Sequence, residues 1–266
     1  MGAIRIGAVQ YLNARPLVHG LEKQTSLFSI DFDVPSTCAR QLREGNVDLG
    51  LIPTIEYLRR SDYRIVPEIA VASKGQVASV ALFTTRPTQA IRTIAVDSSS
   101  KTAFALLRIL CAQWFEIEPK FHIMPPDLDS MLKRCDAALL IGDTALFTEH
   151  ETVVDLDKVD LGEEWTAMSG LPFVWAFWVG RNDVLTSEHL TALVTARDTG
   201  IQSLDAIVKS QKLVDEDQEN IARAYLEENV YFSLSDDEIA GLKRFYSAAL
   251  EVGVVTQAGA PLFYGP

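Results

Sequence analysis

The sequence YLNARPL at residues 11–17 lies between two predicted secondary-structure elements. Residues 4–9 before it are apolar except for Arg5 and predict a buried strand, and residues 17–22 after it predict a short helix. A strand that passes into a helix through polar residues places their side chains at the carboxyl edge of a sheet, where open α/β sheets bind ligands. Asn13 could cap the helix or contact a ligand, and this stretch alone does not decide between the two.

Short apolar strands that alternate with predicted helices favour an α/β protein with parallel sheets. Residues 36–59 and 129–147 share one order of features: a helix, an aspartate, a short apolar strand, a polar turn and another helix. Two similar halves suggest two α/β lobes with a ligand cleft between them. We expect residues 1–85 and 175–266, including the C-terminal helices, to form the first lobe, and residues 86–174 to form the second.

Polar turns that follow a predicted strand and precede a predicted helix should meet at this cleft. Helix N-termini offer unpaired backbone N–H groups and partial positive charge, and Ser and Thr hydroxyls add neutral donors, which together suit a carboxylate or phosphate. For the serines, capping of the next helix is the alternative interpretation. The residues of these turns that we expect at the ligand are Tyr11, Asn13, Thr54, Ser98, Ser99, Ser100, Thr102, Gly142 and Asp143.

Ser79 is a polar residue in a predicted apolar strand at 77–84, where an unpartnered hydroxyl would cost free energy. It bonds either to the backbone or to a ligand at the point where the chain passes between the lobes. Asp48 and Asp136 precede buried strands and are expected to bond to the backbone. The chain carries no Gly-rich phosphate loop, no Gly-x-Ser-x-Gly turn and no histidine pair with metal spacing. The residues alone therefore predict a two-lobed binder of a small anion.

The composition argues against several classes of partner. The net charge is −12 over 266 residues and no basic tract is present, which disfavours nucleic acid and anionic membranes. The longest apolar run, at about residues 171–179, is too short to span a bilayer. Three separated cysteines, with no secretory signal pattern at the start of the chain, predict a reducing, cytoplasmic location.

Characteristic sequences lie at residues 11–17, 45–53, 97–102, 140–143 and 160–165, the last continuing through 170–174. Together these segments resemble the chorismate dehydratase family of menaquinone biosynthesis. The resemblance implies a fold like that of type II periplasmic binding proteins. It also implies conversion of chorismate to 3-[(1-carboxyvinyl)oxy]benzoate and water, the first step of the futalosine route to menaquinone, without cofactor or metal. Asn13 would be the catalytic asparagine and Ser79 would contact the substrate.

The implied reaction is consistent with the residues that the chain offers. Chorismate must lose its C4 hydroxyl and the hydrogen at C3, and the product ring is aromatic, so no redox partner is needed. A neutral amide cannot act as a general base at pH 7. We therefore expect Asn13 to orient the substrate and stabilise the leaving hydroxyl, while a carboxylate of the substrate takes the proton.

Three other classes of protein are alternatives to this interpretation. The first is 1,4-dihydroxy-6-naphthoate synthase of the same route, which shares the fold. Its N-terminal Ser-Pro-Cys-Pro-Asn-Asp pattern is absent here, and it uses a histidine near the turn where this chain has Gly142 and Asp143. A transporter's solute-binding protein would need an export signal or lipid-anchor cysteine near its start. A ligand-sensing regulator would normally adjoin a helix-turn-helix module.

Overall fold

The computed structural model describes residues 2–99, 101–148 and 156–265. Ser100, which we expected at the ligand, lies outside these ranges. The strands of the described residues are β1 (Ile4–Val9), β2 (Phe28–Asp33), β3 (Leu49–Pro53), β4 (Tyr63–Ser73), β5 (Val80–Thr84), β6 (Thr93–Asp97), β7 (Lys120–Met124), β8 (Ala137–Ile141), β9 (Asp157–Asp160), β10 (Phe173–Arg181) and β11 (Tyr231–Leu234). The α-helices are α1 (Arg15–Val18), α2 (Pro35–Glu44), α3 (Lys101–Gln113), α4 (Leu128–Leu132), α5 (Gly142–Leu146), α6 (Leu161–Ser169), α7 (Ser187–Ile201), α8 (Leu204–Ser210), α9 (Glu216–Ala224) and α10 (Asp236–Glu251).

The strands form two mixed sheets, each with helices packed against it. The first sheet has the order β11-β4-β10-β3-β1-β2, with β1 parallel to β2 and β3. The second has the order β7-β6-β8-β5-β9, with β6 parallel to β7 and β8. The central strands β3 and β8 are buried along their whole length, as their continuous apolar sequences predict. The predicted two-lobed α/β architecture is confirmed.

The point where the chain first crosses between the sheets differs from the predicted boundary at residue 85. β4 lies in the first sheet, whereas β5 pairs with β8 and β9 in the second. The crossing therefore falls between Ser73 and Val80, one strand earlier than expected. The predicted return at residue 175 falls inside β10, which begins at Phe173 in the first sheet. An apolar strand carries no local signal for the sheet in which it pairs.

Helix termini follow the sequence signals closely. Gly45 closes α2 in the left-handed conformation with φ of 80°, and Ser235 and Glu238 form a capping box at the start of α10. α7 and α8 are separate helices, with Gln202 and Ser203 between them. α9 ends at Ala224, and the chain continues as a π-helical turn over Tyr225–Asn229. Tyr225 is the first residue of this turn.

The predicted backbone contacts of two aspartates are confirmed. Asp48 accepts a hydrogen bond from the Arg5 N–H at 3.0 Å, and Asp136 accepts from the Arg92 and Thr93 N–H groups at 2.9 Å each.

The cysteines at 38, 111 and 135 are buried and unpaired. Within the described residues, no helix has both the length and the apolar character that crossing a membrane requires.

Candidate ligand cleft and active site

A cleft of about 600 Å³, including the part that opens to solvent, lies between the two lobes. Each of the four predicted polar turns contributes to its walls. Those contributions are Tyr11 and Asn13 after β1, Pro53 at the end of β3, Ser99, Lys101 and Thr102 after β6, and Gly142 after β8. Polar Ser79, apolar Val80 and aromatic Trp175 also line the walls, near the points where the chain crosses between the sheets.

Asn13 does not cap a helix. It lies in the 3₁₀ turn Leu12–Ala14 between β1 and α1, and neither the turn nor α1 has a side-chain cap. Its amide Nδ2 instead donates to the phenol oxygen of Tyr225 at 2.9 Å. The capping interpretation is therefore wrong, and the amide lies in the wall of the cleft.

Ser79 precedes its strand rather than lying inside it, because β5 begins at Val80. A tight turn places it there: Ala78 has φ of +61°, and the Ser79 N–H donates to the Val77 carbonyl at 2.7 Å. The buried Asp160 carboxylate holds this turn by accepting the Val77 and Ala78 N–H groups at 3.0 and 2.6 Å. Burial raises the pKa of Asp160. Ser79 itself is 1% exposed and lines the cleft.

Tyr225 joins Asn13 to Ser79 and was not predicted from the sequence. Its phenol oxygen lies 2.9 Å from Asn13 Nδ2 and 2.7 Å from Ser79 Oγ. The side chain is 1% exposed, and burial raises its pKa, so the phenol stays neutral. No local pattern marks it, since it is 212 residues from Asn13 and 146 from Ser79. A π-helical turn at this position is a feature often found at functional sites.

Gly142 and Asp143 join the second lobe to the first turn of the chain. A Cβ atom at Gly142 would lie 2.7 Å from Cδ2 of Tyr11, so the aromatic ring packs directly on the glycine backbone. Asp143 Oδ1 accepts the Leu12 N–H at 3.0 Å. Asp143 is not among the residues that line the cleft, and burial raises its pKa. Gly142 thus forms part of the wall, whereas Asp143 fixes the turn that carries Asn13.

The two threonines predicted at the ligand are placed differently. Thr102 lines the cleft, and its Oγ1 accepts the Ile55 N–H at 3.3 Å. Thr54 is fully buried and outside the walls. Its Oγ1 donates to the Val174 carbonyl at 2.9 Å and lies 3.4 Å from Thr102 Oγ1. Thr54 therefore joins the lobes beneath the cleft.

Of the two described serines after β6, one lines the cleft and the other does not. Ser99 lines the cleft, and both its N–H and its Oγ donate to Oδ1 of the buried Asp97, at 2.8 and 2.9 Å. Burial raises the pKa of Asp97. Ser98 is exposed and is not part of the wall.

The described walls of the cleft hold few ionisable groups. Tyr11 and Lys101 are the ionisable side chains among the lining residues that the structure describes, and no Asp, Glu or His is among them. Lys101 begins α3, a helix of 13 residues whose N-terminus carries partial positive charge. Trp175, held by donation from Nε1 to Ser73 Oγ at 3.0 Å, adds an aromatic surface. The cleft therefore suits an anion with a flat apolar part.

Other solved structures share this architecture. A protein from Archaeoglobus fulgidus superposes with a TM-score of 0.76 at 18% identity, covering 95% of this chain and 98% of that chain. The periplasmic aliphatic sulphonate binding protein of Escherichia coli superposes with a TM-score of 0.67 at 14% identity, covering 100% of this chain and 95% of that one. The fold is the two-lobed fold of periplasmic binding proteins.

The family to which the chain belongs follows from its sequence similarity to known proteins. The model of the menaquinone biosynthesis family matches residues 4–251, and the chain belongs to this family. A chorismate dehydratase of Thermus thermophilus is 28% identical over 275 residues, which covers 97% of each protein.

Proposed function

We propose that this protein dehydrates chorismate to 3-[(1-carboxyvinyl)oxy]benzoate in the biosynthesis of menaquinone. The observation that carries the proposal is the family match over residues 4–251, together with a dehydratase relative similar over 97% of the chain. The cleft supports it, because chorismate is a dicarboxylate whose cyclohexadiene ring becomes flat and aromatic in the product. Neutral hydroxyls, a helix N-terminus, Lys101 and Trp175 are groups that recognise such a molecule.

The chemistry needs one elimination. The C4–O bond and the C3–H bond of chorismate break, a C3–C4 double bond forms, and the hydroxide and the proton leave as water. The ring becomes aromatic, so the reaction balances without an oxidant or a reductant. What the protein must supply is a fixed orientation of the substrate and a hydrogen bond to the departing oxygen.

Asn13 is suited to donate the hydrogen bond to the departing oxygen. Its amide has two N–H groups, one of which is directed to Tyr225, and the other would donate to the C4 hydroxyl as it leaves. The lining residues that the structure describes include no carboxylate and no imidazole that could remove the C3 proton. A carboxylate of the substrate would take that proton, and Asn13 would be the catalytic residue.

The carboxylates of chorismate would be held by the groups that line the cleft. The donors are the side chains of Tyr11, Ser79 and Thr102 and the N-terminus of α3. Ser99 and Gly142 shape the wall instead, because Ser99 donates its N–H and its hydroxyl proton to Asp97 and the Gly142 N–H donates to the Ser79 carbonyl. Thr54 and Asp143 would act from behind the wall by fixing Thr102 and the Asn13 turn. We also infer a cytoplasmic location, supported by the unpaired thiols of all three cysteines.

The test is to incubate the purified protein with chorismate in the presence of EDTA and to follow the mixture by liquid chromatography and mass spectrometry. We expect loss of one water and an aromatic product. Asn13→Ala should lower kcat about 10²- to 10³-fold, the loss typical for one donor to a developing oxyanion. Asn182→Ala, an exposed asparagine that bonds to Asp183, is the matched control and should turn over normally.

Two outcomes would contradict the proposal in different ways. Unchanged chorismate with the unaltered protein would refute the dehydratase function, and thermal stabilisation by chorismate without product would mark a binding protein instead. Near-normal turnover by Asn13→Ala would leave the reaction in place and refute the role of Asn13.

A further inference from the structure

Three side chains form a continuous hydrogen-bonded series beside the cleft. Asn13 and Ser79 lie in the cleft wall, and Tyr225 lies between them but behind the wall. The phenol oxygen is 2.9 Å from Asn13 Nδ2 and 2.7 Å from Ser79 Oγ. The series therefore links the two polar residues at the cleft through a group that is not itself in its wall.

Tyr225 differs from other buried tyrosines of this chain in its partners. Tyr57 Oη accepts from the Leu262 N–H at 2.9 Å and donates to the Ala260 carbonyl at 3.4 Å, and Tyr246 Oη donates to the Thr54 carbonyl at 2.8 Å. Those hydroxyls bond to backbone groups, and so they stabilise the fold rather than position a side chain of the cleft. The hydroxyl of Tyr225 bonds to two side chains, both of them in the cleft wall.

The direction of each hydrogen bond in the series follows from the requirement that every buried donor has an acceptor. Asn13 Nδ2 is a donor, so the phenol oxygen accepts from it. The phenol proton is buried and needs an acceptor, because an unsatisfied buried hydroxyl costs free energy. Among the described residues, Ser79 Oγ is the acceptor within reach. With one lone pair of Ser79 occupied by Tyr225, the serine's own proton is directed away from Tyr225, toward the cleft.

We propose that Tyr225 is a positioning residue that orders this series, so that Ser79 presents a proton to a negatively charged oxygen of the substrate. The inference rests on the proposed function and names the group bound at Ser79 as a carboxylate. Tyr225 also holds the Asn13 amide in one orientation, with its second N–H available to the leaving hydroxyl. Both effects are exerted through other side chains.

The test removes only the hydroxyl. Tyr225→Phe should lower kcat/KM for chorismate about 10- to 100-fold, the range expected when hydrogen bonds to a charged group lose their alignment. KM should rise, because Ser79 binds the ground state, and kcat should fall, because Asn13 acts on the leaving group. The matched control is Tyr57→Phe, which deletes the hydroxyl of another buried tyrosine, one with backbone partners, and should keep kcat/KM within about twofold.

A double-mutant cycle separates positioning from a loss of folded protein. If Tyr225 acts through Ser79, then Tyr225→Phe should cost less in a Ser79→Ala background than in the unaltered protein. A merely structural role would lower the active fraction, and with it the apparent kcat, while leaving KM unchanged and the two substitutions additive. Circular dichroism and Tm of all variants show whether each is folded.

The outcomes distinguish this inference from the proposed function. Turnover by the unaltered protein with an unchanged KM in Tyr225→Phe, or with additive effects in the cycle, would refute the positioning role alone. Absence of product from the unaltered protein would refute the dehydratase function and, with it, the assignment of a substrate carboxylate to Ser79. A raised KM with non-additive effects supports the proposal.

Discussion

The contact between Tyr11 and Gly142 makes a sharp prediction for the substitution Gly142→Ala. The glycine has φ of +62°, and an added Cβ would lie 2.7, 2.8 and 2.9 Å from Cδ2, Cε2 and Cγ of the Tyr11 ring. Cγ is the ring atom bonded to Cβ, so rotation of the ring about the Cβ–Cγ bond does not relieve the overlap. Tyr11 must turn out of the wall or the two lobes must separate slightly.

The magnitude has two parts. A non-glycine residue in the left-handed conformation costs about 1–2 kcal/mol. Forcing an extra methyl group into a packed contact costs about 1–3 kcal/mol more. The free energy of unfolding should therefore fall by about 2–5 kcal/mol. A loss of 1 kcal/mol lowers Tm by about 2–4 °C in a chain approaching this size, so the expected loss is about 4 °C or more.

Gly253→Ala is the matched control. Gly253 has nearly the same backbone conformation, with φ of +67°, but nothing lies within 4 Å of its added Cβ. It should show only the conformational part, about 1–2 kcal/mol, and unchanged kcat/KM. Gly142→Ala should lose more Tm than Gly253→Ala and should also raise KM for chorismate, since Tyr11 lies in the cleft wall. Equal Tm losses in the two variants would refute the tight contact inferred from the geometry.

Two further predictions concern titratable groups. Burial raises the pKa of Asp143, so the folded state holds the carboxyl proton more tightly than the unfolded state does. The stability that this tighter binding contributes is complete below the pKa of Asp143 in the unfolded state. It is lost as the pH rises through the pKa of Asp143 in the folded state. Asp143→Asn should therefore gain Tm relative to the unaltered protein as pH rises from about 4 to 8; a difference in Tm that does not change with pH would contradict the shift. Burial also raises the pKa of Cys38 and Cys111 to about 12, so iodoacetamide at pH 8 should label both slowly in the native protein and rapidly in guanidinium, as read by peptide mass spectrometry. Equal labelling rates in the two conditions would show that these thiols are accessible.

The parts of the fold that could be predicted were those with continuous apolar sequence. β1, β3, β6 and β8 are buried central or near-central strands, and each is followed by the polar turn that reaches the cleft. Two edge strands, β2 and β9, were missed because their sequences lack a continuous apolar run. β9 reads Asp-Lys-Val-Asp and β2 alternates polar and apolar residues, since each has a neighbour on one side alone.

The site was predictable only as far as local sequence carries it. Asn13 and Ser79 were found because a polar side chain next to an apolar strand stands out. Thr54 was placed in the wall, but a turn sequence does not show which of its side chains face the ligand and which lie beneath. Tyr225 left no signal, because its role depends on a contact 212 residues away along the chain and its neighbours are typical of an ordinary acidic helix.

The long separation between Asn13 and Tyr225 also has a consequence for protein synthesis. During translation at about 5–20 residues per second, the 212 residues between the two take roughly 10–40 seconds to make. Throughout that time the first lobe's leading strand and its asparagine exist without the phenol that orients the amide. A nascent chain on the ribosome therefore has the asparagine but not the ordered site, which is assembled when the last quarter of the polypeptide folds back onto the first.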